Sequence, residues 1–298
     1  MRYLLLLTLP LLFLSADLSQ ASQKILVLQS LRIQPYEDAY RGLRSVVTGS
    51  VKRLVVSELE GIDLAKMVRD ERPEVIVAIG TEAAAKIRKI KDVPIVYLMV
   101  LDSATIFSDE GNITGVNLQL PPERQLASLQ SVIPKAKRVG LLFNSDRSAT
   151  FVSRARAAAR SMGMELVTRD VHSPREVPLA LEGLRSDIDA FWMIPDTGVV
   201  SSETVEYLLL FSLRHKIPIM TFSDKYVEMG ALLALEIDPA DLGRQAGEMT
   251  KKIMGGARVA SLPRSDPRSS VLTINTKIAR KLGISLSDEV VSRSRVIR

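Results

Sequence analysis

From Lys24 almost to the end of the chain, short β-branched apolar runs alternate with longer amphipathic ones, and the scheme plays through twice. In "KILVLQS", Ile25 to Leu28 are apolar without a break, as in a strand buried on both faces. A helix is predicted from about Pro35, with Ala39, Leu43, Val46 and Val47 along one face. Next come "KRLVVSE", a helix through Ile62, Ala65, Met67 and Val68, the strand "PEVIVAIG", an Ala-rich helix after Thr81, and "VPIVYLMV". After the connection "DEGNITGVNLQL" the order restarts, with strands at "KRVGLLFN", "MELVTRDV", "IDAFWMIPD" and "IPIMTF" and helical segments between them. Such alternation implies parallel sheets covered by helices on both faces. The halves also echo each other: "DVPIVYL" and "KIPIMTF" are both fourth strands opened by Pro, whose missing donor costs least at a strand's first residue. The expected fold class is therefore α/β, with two Rossmann-like lobes.

The chain does not stop when the second lobe is complete. "ALLALEID", "PADLGRQAGEMTKKIMGG", "SSVLTIN" and "TKIARKLGI" read as strand, helix, strand and helix, and no Pro/Gly/Ser-rich linker separates them from what precedes. Leftover elements imply that the chain crosses back, and several crossings make a hinge with a cleft beside it. The expected division is residues 22–116 with 231–260 for the first lobe, and 117–230 with 261–298 for the second.

The opening "MRYLLLLTLPLLFLSADLSQAS" has one Arg near its start, an apolar block from about Tyr3 to Ala16, and the small-x-small run Ser19-Gln20-Ala21. It reads as a secretory signal peptide, residues 1–21, cleaved after Ala21, the alternative being an uncleaved anchor. The block is shorter than the roughly 20 residues of a spanning helix. The chain has no Cys, so neither a lipid-bearing Cys nor a disulfide is expected, and the periplasm is the expected location. Basic residues outnumber acids by six, but they are interleaved with them except in the tail "SRSRVIR". Without aromatic interleaving, that tail argues against a nucleic-acid partner. A monomer is expected.

In open parallel sheets, ligands sit outside the carboxyl ends of the strands, where helix N-termini also point. The residues there are Gln29 and Ser30; Gly80 and Thr81; Leu101 and Asp102; Asn144 to Ser148; Asp196 and Thr197; Ser223 and Asp224. Glu236 is the one acid of the later apolar run. Thr81, Ser148, Ser201 and Asp241 could equally be plain helix caps. Catalytic patterns are weak. His172 sits in a polar turn and His215 near a helix end, where a cation suits the dipole. No His/Cys/acid spacing suits a metal, no Ser sits in a Gly-x-Ser-x-Gly elbow, and "GTEAAAK" lacks the Gly-Lys-Ser/Thr end of a phosphate loop. "GRQAGE" reads as close helix packing rather than a cofactor box, and no cofactor is expected.

The run "GNITGVNLQLPPERQLASLQSVIPKAKRVGLLFNSD", with "IPIMTFSDKYVEMGALLALEIDPADLGRQAGEMTKKIMGG" and "VLTINTKIARKLGI", resembles the ABC transporter substrate-binding protein family that includes tryptophan- and tyrosine-uptake-like proteins. The likeness runs from about Lys24 to Val296. It implies a type I periplasmic binding protein: two lobes, a multi-crossing hinge, and a ligand closed in between. It also implies that Gly80, Thr81, Asp102, Asn144, Ser223 and Asp224 line the cleft. Two departures lie at cleft positions. Pro195-Asp196-Thr197-Gly198 stands where many members read Pro-Thr-Asp-Asn, and Leu235-Glu236 where many read Tyr-Gly. Both count against an aromatic amino acid, and Glu236 points to a cationic or ammonium-bearing group.

The leading expectation is thus a non-enzymatic solute-binding protein. It would hold a small polar ligand through Gln29, Ser30, Gly80, Thr81, Asp102, Asn144, Ser148, Asp196, Thr197, Ser223, Asp224 and Glu236, and pass it to an ABC permease and ATPase. A ligand sensor for a membrane receptor, and an exported hydrolase using Asp224 and Glu236, are the alternatives.

Overall fold

The computed structural model describes residues 24–59, 63–101, 103–107 and 111–298. The expected signal peptide and Asp102 lie outside the described residues. The first sheet is wholly parallel, in the order β2-β1-β3-β4-β5. Its strands are β1 (Lys24–Gln29), β2 (Ser50–Val55), β3 (Val75–Ile79), β4 (Ile95–Leu98) and β5 (Ile113–Gly115), linked by helices α1 (Gln34–Arg44), α2 (Leu64–Glu71), α3 (Thr81–Ile87) and α4 (Ser103–Ile106). All nine residues of β3 and β4 are fully buried, which explains their unbroken apolar sequences. Burying each Val, Ile or Leu stabilises by about 1.5–3 kcal/mol, so the sheet centre is where the fold is won. β5 lies inside the stretch read from sequence as a plain connection; three residues are too few to show a period.

The second sheet begins with helix α5 (Pro122–Val132) and strand β6 (Arg138–Phe143). It continues through α6 (Ser145–Ser161), β7 (Glu165–Asp170), α7 (Val177–Glu182), β8 (Ala190–Trp192), α8 (Ser202–His215), β9 (Ile219–Thr221), α9 (Asp224–Met229) and β10 (Leu233–Ile237). The chain then leaves for α10 (Pro239–Met254) and returns as β11 (Ser270–Asn275), α11 (Thr276–Leu282), α12 (Asp288–Ser292) and β12 (Arg295–Ile297). The order is β12-β11-β10-β9-β8-β6-β7, parallel except for the β10–β11 pair. Trp192, 1% exposed, anchors one face and donates its indole N–H to Gln125 at 3.1 Å.

One boundary differs from the sequence reading. Leu233–Ile237 was expected in the first lobe but is an inner strand of the second sheet, between β9 and β11. The short α9 crossover returns the chain beside β9, so this strand pairs before the chain leaves. The crossing comes after it, at Ile237 to Pro239, where the Asp238 carboxylate caps α10 by accepting from the N–H groups of Ala240 and Asp241. Asp241 is therefore not the cap. Nor are Thr81 and Ser148, which lie inside α3 and α6; Ser201 is one, in a reciprocal capping box with Thr204.

Helix α10 packs on α1 and the first sheet. Its Gly243 lies against the Ala39 carbonyl, and Gly42 of α1 against the Ala240 carbonyl, so closely that a Cβ at either position would overlap the oxygen. "GRQAGE" is thus helix-on-helix backbone contact, as its small residues implied. The two other connections between the sheets run side by side. Val116 bridges Ser265, Asn117 N–H donates to the Ser265 carbonyl (2.8 Å), and Ser265 N–H donates to the Gly115 carbonyl (3.0 Å). Asn117 also donates to Asp266 (3.0 Å) and accepts from the Tyr97 hydroxyl (3.0 Å), while Arg154 of α6 reaches the other Asp266 oxygen (3.3 Å). This chain of bonds ties one sheet to the other through the crossing strands.

Candidate ligand-binding site

At the strand ends of the first sheet, several expected ligand groups are already engaged. Gln29 has no exposed surface. Its amide donates to the Leu31 carbonyl (2.6 Å) and to Glu37 (3.0 Å), and accepts from Arg53 (2.8 Å). Arg53 also pairs with Glu37 and lies over the Tyr40 ring, 4.2 Å from its centroid. The Arg53 hydrogen bond, then that from Gln29, holds the Glu37 carboxyl below the usual range. Gln29 is therefore a strut between β1, β2 and α1. Ser30 is buried, and its hydroxyl accepts the Ala83 N–H (2.9 Å), positioning α3. Thr81 Oγ1 accepts the Leu101 N–H (3.1 Å) and so joins the ends of β3 and β4. Gly80, at φ +97°, has room for no side chain: a Cβ would lie 2.5 Å from Ser30 Oγ and 2.8 Å from the Tyr36 ring. Leu31, Ile33 and Leu101, on the loops beyond β1 and β4, are 43%, 43% and 63% exposed. Sequence reasoning named Leu101 only as the strand-end neighbour of Asp102 and passed over Leu31 and Ile33, because it sought polar groups.

In the second lobe, Asn144, Ser148 and Asp196 come together, and the acid is at their centre. Asp196 is 2% exposed, and both its oxygens are occupied. Oδ2 accepts from Asn144 N–H (2.8 Å) and Ser148 Oγ–H (2.6 Å), and Oδ1 accepts from Gly198 N–H (2.8 Å). Asn144 Oδ1 in turn caps α6 by accepting from Asp146 N–H (3.0 Å). Gly198 is required because a Cβ there would lie 2.7 Å from Asn144 Cβ. Thr197, next to this knot, is exposed.

Further along the same sheet edge stand Ser223, Asp224 and Glu236. Asp224 Oδ2 accepts from Arg295 of β12 at 2.8 Å. Glu236, the penultimate residue of β10, is half-buried, with Ser223 and the Asp224 backbone beside its carboxylate. Burial pushes its pKa above the ordinary carboxylate value and the Asp224 charge adds to that; the polar Asp224 backbone and Ser223, with the Arg295 charge, only partly offset it. Among the described residues no group of three His, Asp or Glu side chains is arranged to hold a metal ion.

Two lobes with polar groups set at the carboxyl ends of their strands are the geometry of a binding protein, and comparison with known sequences decides the family. The pattern of ABC transporter substrate binding proteins matches residues 55–297. The chain belongs to that family. ABC transporter substrate binding proteins capture a molecule without transforming it. The tyrosine-binding protein of Clostridioides difficile is 27% identical over 227 residues, which are 73% of this chain and 65% of that protein, just under two thirds of its length. An ABC domain from Streptococcus pneumonia in complex with L-Trp is 26% identical, with a TM-score of 0.60 over 92% of this chain and 100% of that one. The ligand-free, open structure of a substrate binding protein with adhesive properties from Clostridium difficile has a TM-score of 0.75 at 21% identity, over 93% and 99% of the two chains. These likenesses establish the type I periplasmic binding protein fold. Within this family member, Arg295, Leu31 and Ile33 are the strand-end groups that the sequence reading missed, while Leu101 was named only for its position. Arg295 lay hidden in a tail that read as generally basic, although Val296 and Ile297 beside it carry a strand signal.

Proposed function

We propose that this chain is an extracytoplasmic solute-binding protein. It holds a small polar, amino-acid-like metabolite between its lobes and delivers it to an ABC permease with its ATPase. Residues 1–21 would direct export and be cleaved after Ala21, leaving a monomer in the periplasm. The observation that carries the reading is the edge formed by Asn144, Asp196, Ser223, Asp224 and Glu236, where parallel strands of one sheet end in hydrogen-bonding side chains. The names of the clostridial relative and the pneumococcal complex support an amino-acid-like ligand. Across the strand ends of the two lobes the roles divide. Asp196, Gln29 and Ser30 shape the loops from inside; Thr81, Thr197, Ser223, Asp224 and Glu236 remain to meet the guest, with Asn144 and Ser148 beside them and Asp102 as a further candidate. Closure of the lobes would exclude water and strengthen each of these bonds. Ligand would then shift the population toward a closed state.

The test is native mass spectrometry of protein taken from its host, followed by a thermal-shift screen of amino acids, amines, nucleosides and sugars. A co-purified small molecule that raises the melting temperature of refolded protein is the expected result. A folded chain that carries nothing and responds to nothing would refute the reading.

A further inference from the structure

Arg295 is hydrogen-bonded to Asp224, and Glu236 is left without an ion-pair partner among the described residues. The neighbourhood beneath it is also incomplete. Ala234 of β10 is flanked in register by Thr221 of β9 on one side and Thr273 of β11 on the other. Glu236, two residues beyond Ala234, points to the same sheet face as both. Thr221 is 2% exposed and Thr273 fully buried, and neither hydroxyl has a hydrogen-bond partner. Buried hydroxyls are rarely left unpaired, because each costs about 1–3 kcal/mol when it is. Two of them, beside the smallest side chain in the row and next to an uncompensated carboxylate, make an oxygen-only acceptor set.

We infer that Glu236, with the hydroxyls of Thr221 and Thr273 behind it, selects a ligand bearing a positively charged ammonium or guanidinium head on an apolar body. This inference rests on the reading of the chain as a solute-binding protein and names the ligand class for that same site. The Glu236 carboxylate takes the charged head directly. The two hydroxyls, one row deeper and sealed from solvent, back the carboxylate with oxygen dipoles instead of apolar atoms. Ser223 and the Asp224 backbone flank the carboxylate. The apolar body faces Leu31, Ile33 and Leu101, which the first lobe leaves exposed at its strand ends. A neutral ligand at this position would leave the carboxylate half-buried and unpaired.

The test uses calorimetry on the full chain with phenethylamine and agmatine as cationic probes, 2-phenylethanol as a neutral isostere, and L-tyrosine and L-tryptophan as zwitterions. Wild-type protein should bind at least one cationic probe at least tenfold more tightly than 2-phenylethanol. Glu236→Gln, confirmed folded by its melting curve, should lose that preference, and Thr273→Val should weaken the cationic probe several-fold. The inference is overturned if cationic probes bind wild type and Glu236→Gln equally. It is likewise overturned if only the zwitterions bind, with the same affinity for both proteins; the solute-binding reading then survives. If no probe binds and native mass spectrometry finds no co-purified molecule, both fail together.

Discussion

Replacing Asp196 separates scaffold from ligand contact. The carboxylate is buried and accepts three hydrogen bonds, two on Oδ2 and one on Oδ1. Asparagine is nearly isosteric but has one oxygen. If that oxygen serves Asn144 N–H and the Ser148 hydroxyl, the amide nitrogen faces the Gly198 N–H, donor against donor. The substitution then removes one charge-assisted bond, weakens two, and leaves a buried N–H unpaired. At 1.5–3 kcal/mol for a hydrogen bond to a charged group, the net cost is roughly 3 kcal/mol. For a domain of this size each kcal/mol is worth about 2–4 °C, so Asp196→Asn should lower the melting temperature by about 6–12 °C. Differential scanning calorimetry without ligand reads this directly. An unchanged melting temperature combined with lost ligand binding would refute the reasoning, because Asp196 would then be a contact group rather than the keystone of its loop.

Gly243→Ala should destabilise by at least about 1–3 kcal/mol, since the added methyl meets backbone in α1 rather than a movable side chain; a melting curve within 1 °C (about 0.3–0.5 kcal/mol) of wild type would count against it. Glu236 keeps its proton to higher pH in the fold than in the unfolded chain, so the folded state binds more protons in the window above the ordinary glutamate value of 4.5 and stability declines as pH rises through it. Glu236→Gln should flatten that decline in melting scans from about pH 4 to about pH 8; parallel curves for the two proteins would exclude it. Arg268 holds Asp241 (3.0 Å) and Glu248 (2.8 Å) and, despite the burial of Asp241, keeps that carboxyl below its ordinary pKa. Arg268→Met should cost about 1–2 kcal/mol in urea unfolding above the carboxylate range, with the deficit shrinking as pH falls and Asp241 protonates in both states.

Which parts of this were legible beforehand follows from the period of each signal. Strands such as Val75–Ile79 and Ile95–Leu98 announce themselves because both faces are buried and every residue must be apolar. The lobe boundary at Leu233–Ile237 did not, since an apolar strand reads the same whichever sheet it joins; only its pairing with β9 and β11 assigns it. Site residues are harder for a related reason. A polar residue at a strand's end is equally consistent with a ligand contact and with a buried strut, and the difference lies in partners distant in sequence. Gln29 is a strut because Arg53 and Glu37 reach it. Asp196 is one because Ser148 and the Asn144 N–H lie about fifty residues earlier, at the end of a neighbouring strand.

Glu236 shows the opposite case. Its isolation in an apolar run was visible in sequence, and the structure keeps it half-buried without a cation of its own. What the sequence could not supply was the reason. Arg295, about sixty residues later, pairs with Asp224, and β12 adds to β11 in a register that sets Arg295 beside Thr273. Had β12 joined two residues further along, the same arginine would have stood one row nearer to Glu236 or one row further away. The charge left over at this edge therefore depends on the register of a three-residue strand, and any change that slides or melts Arg295–Ile297 should alter ligand selection without touching a ligand contact.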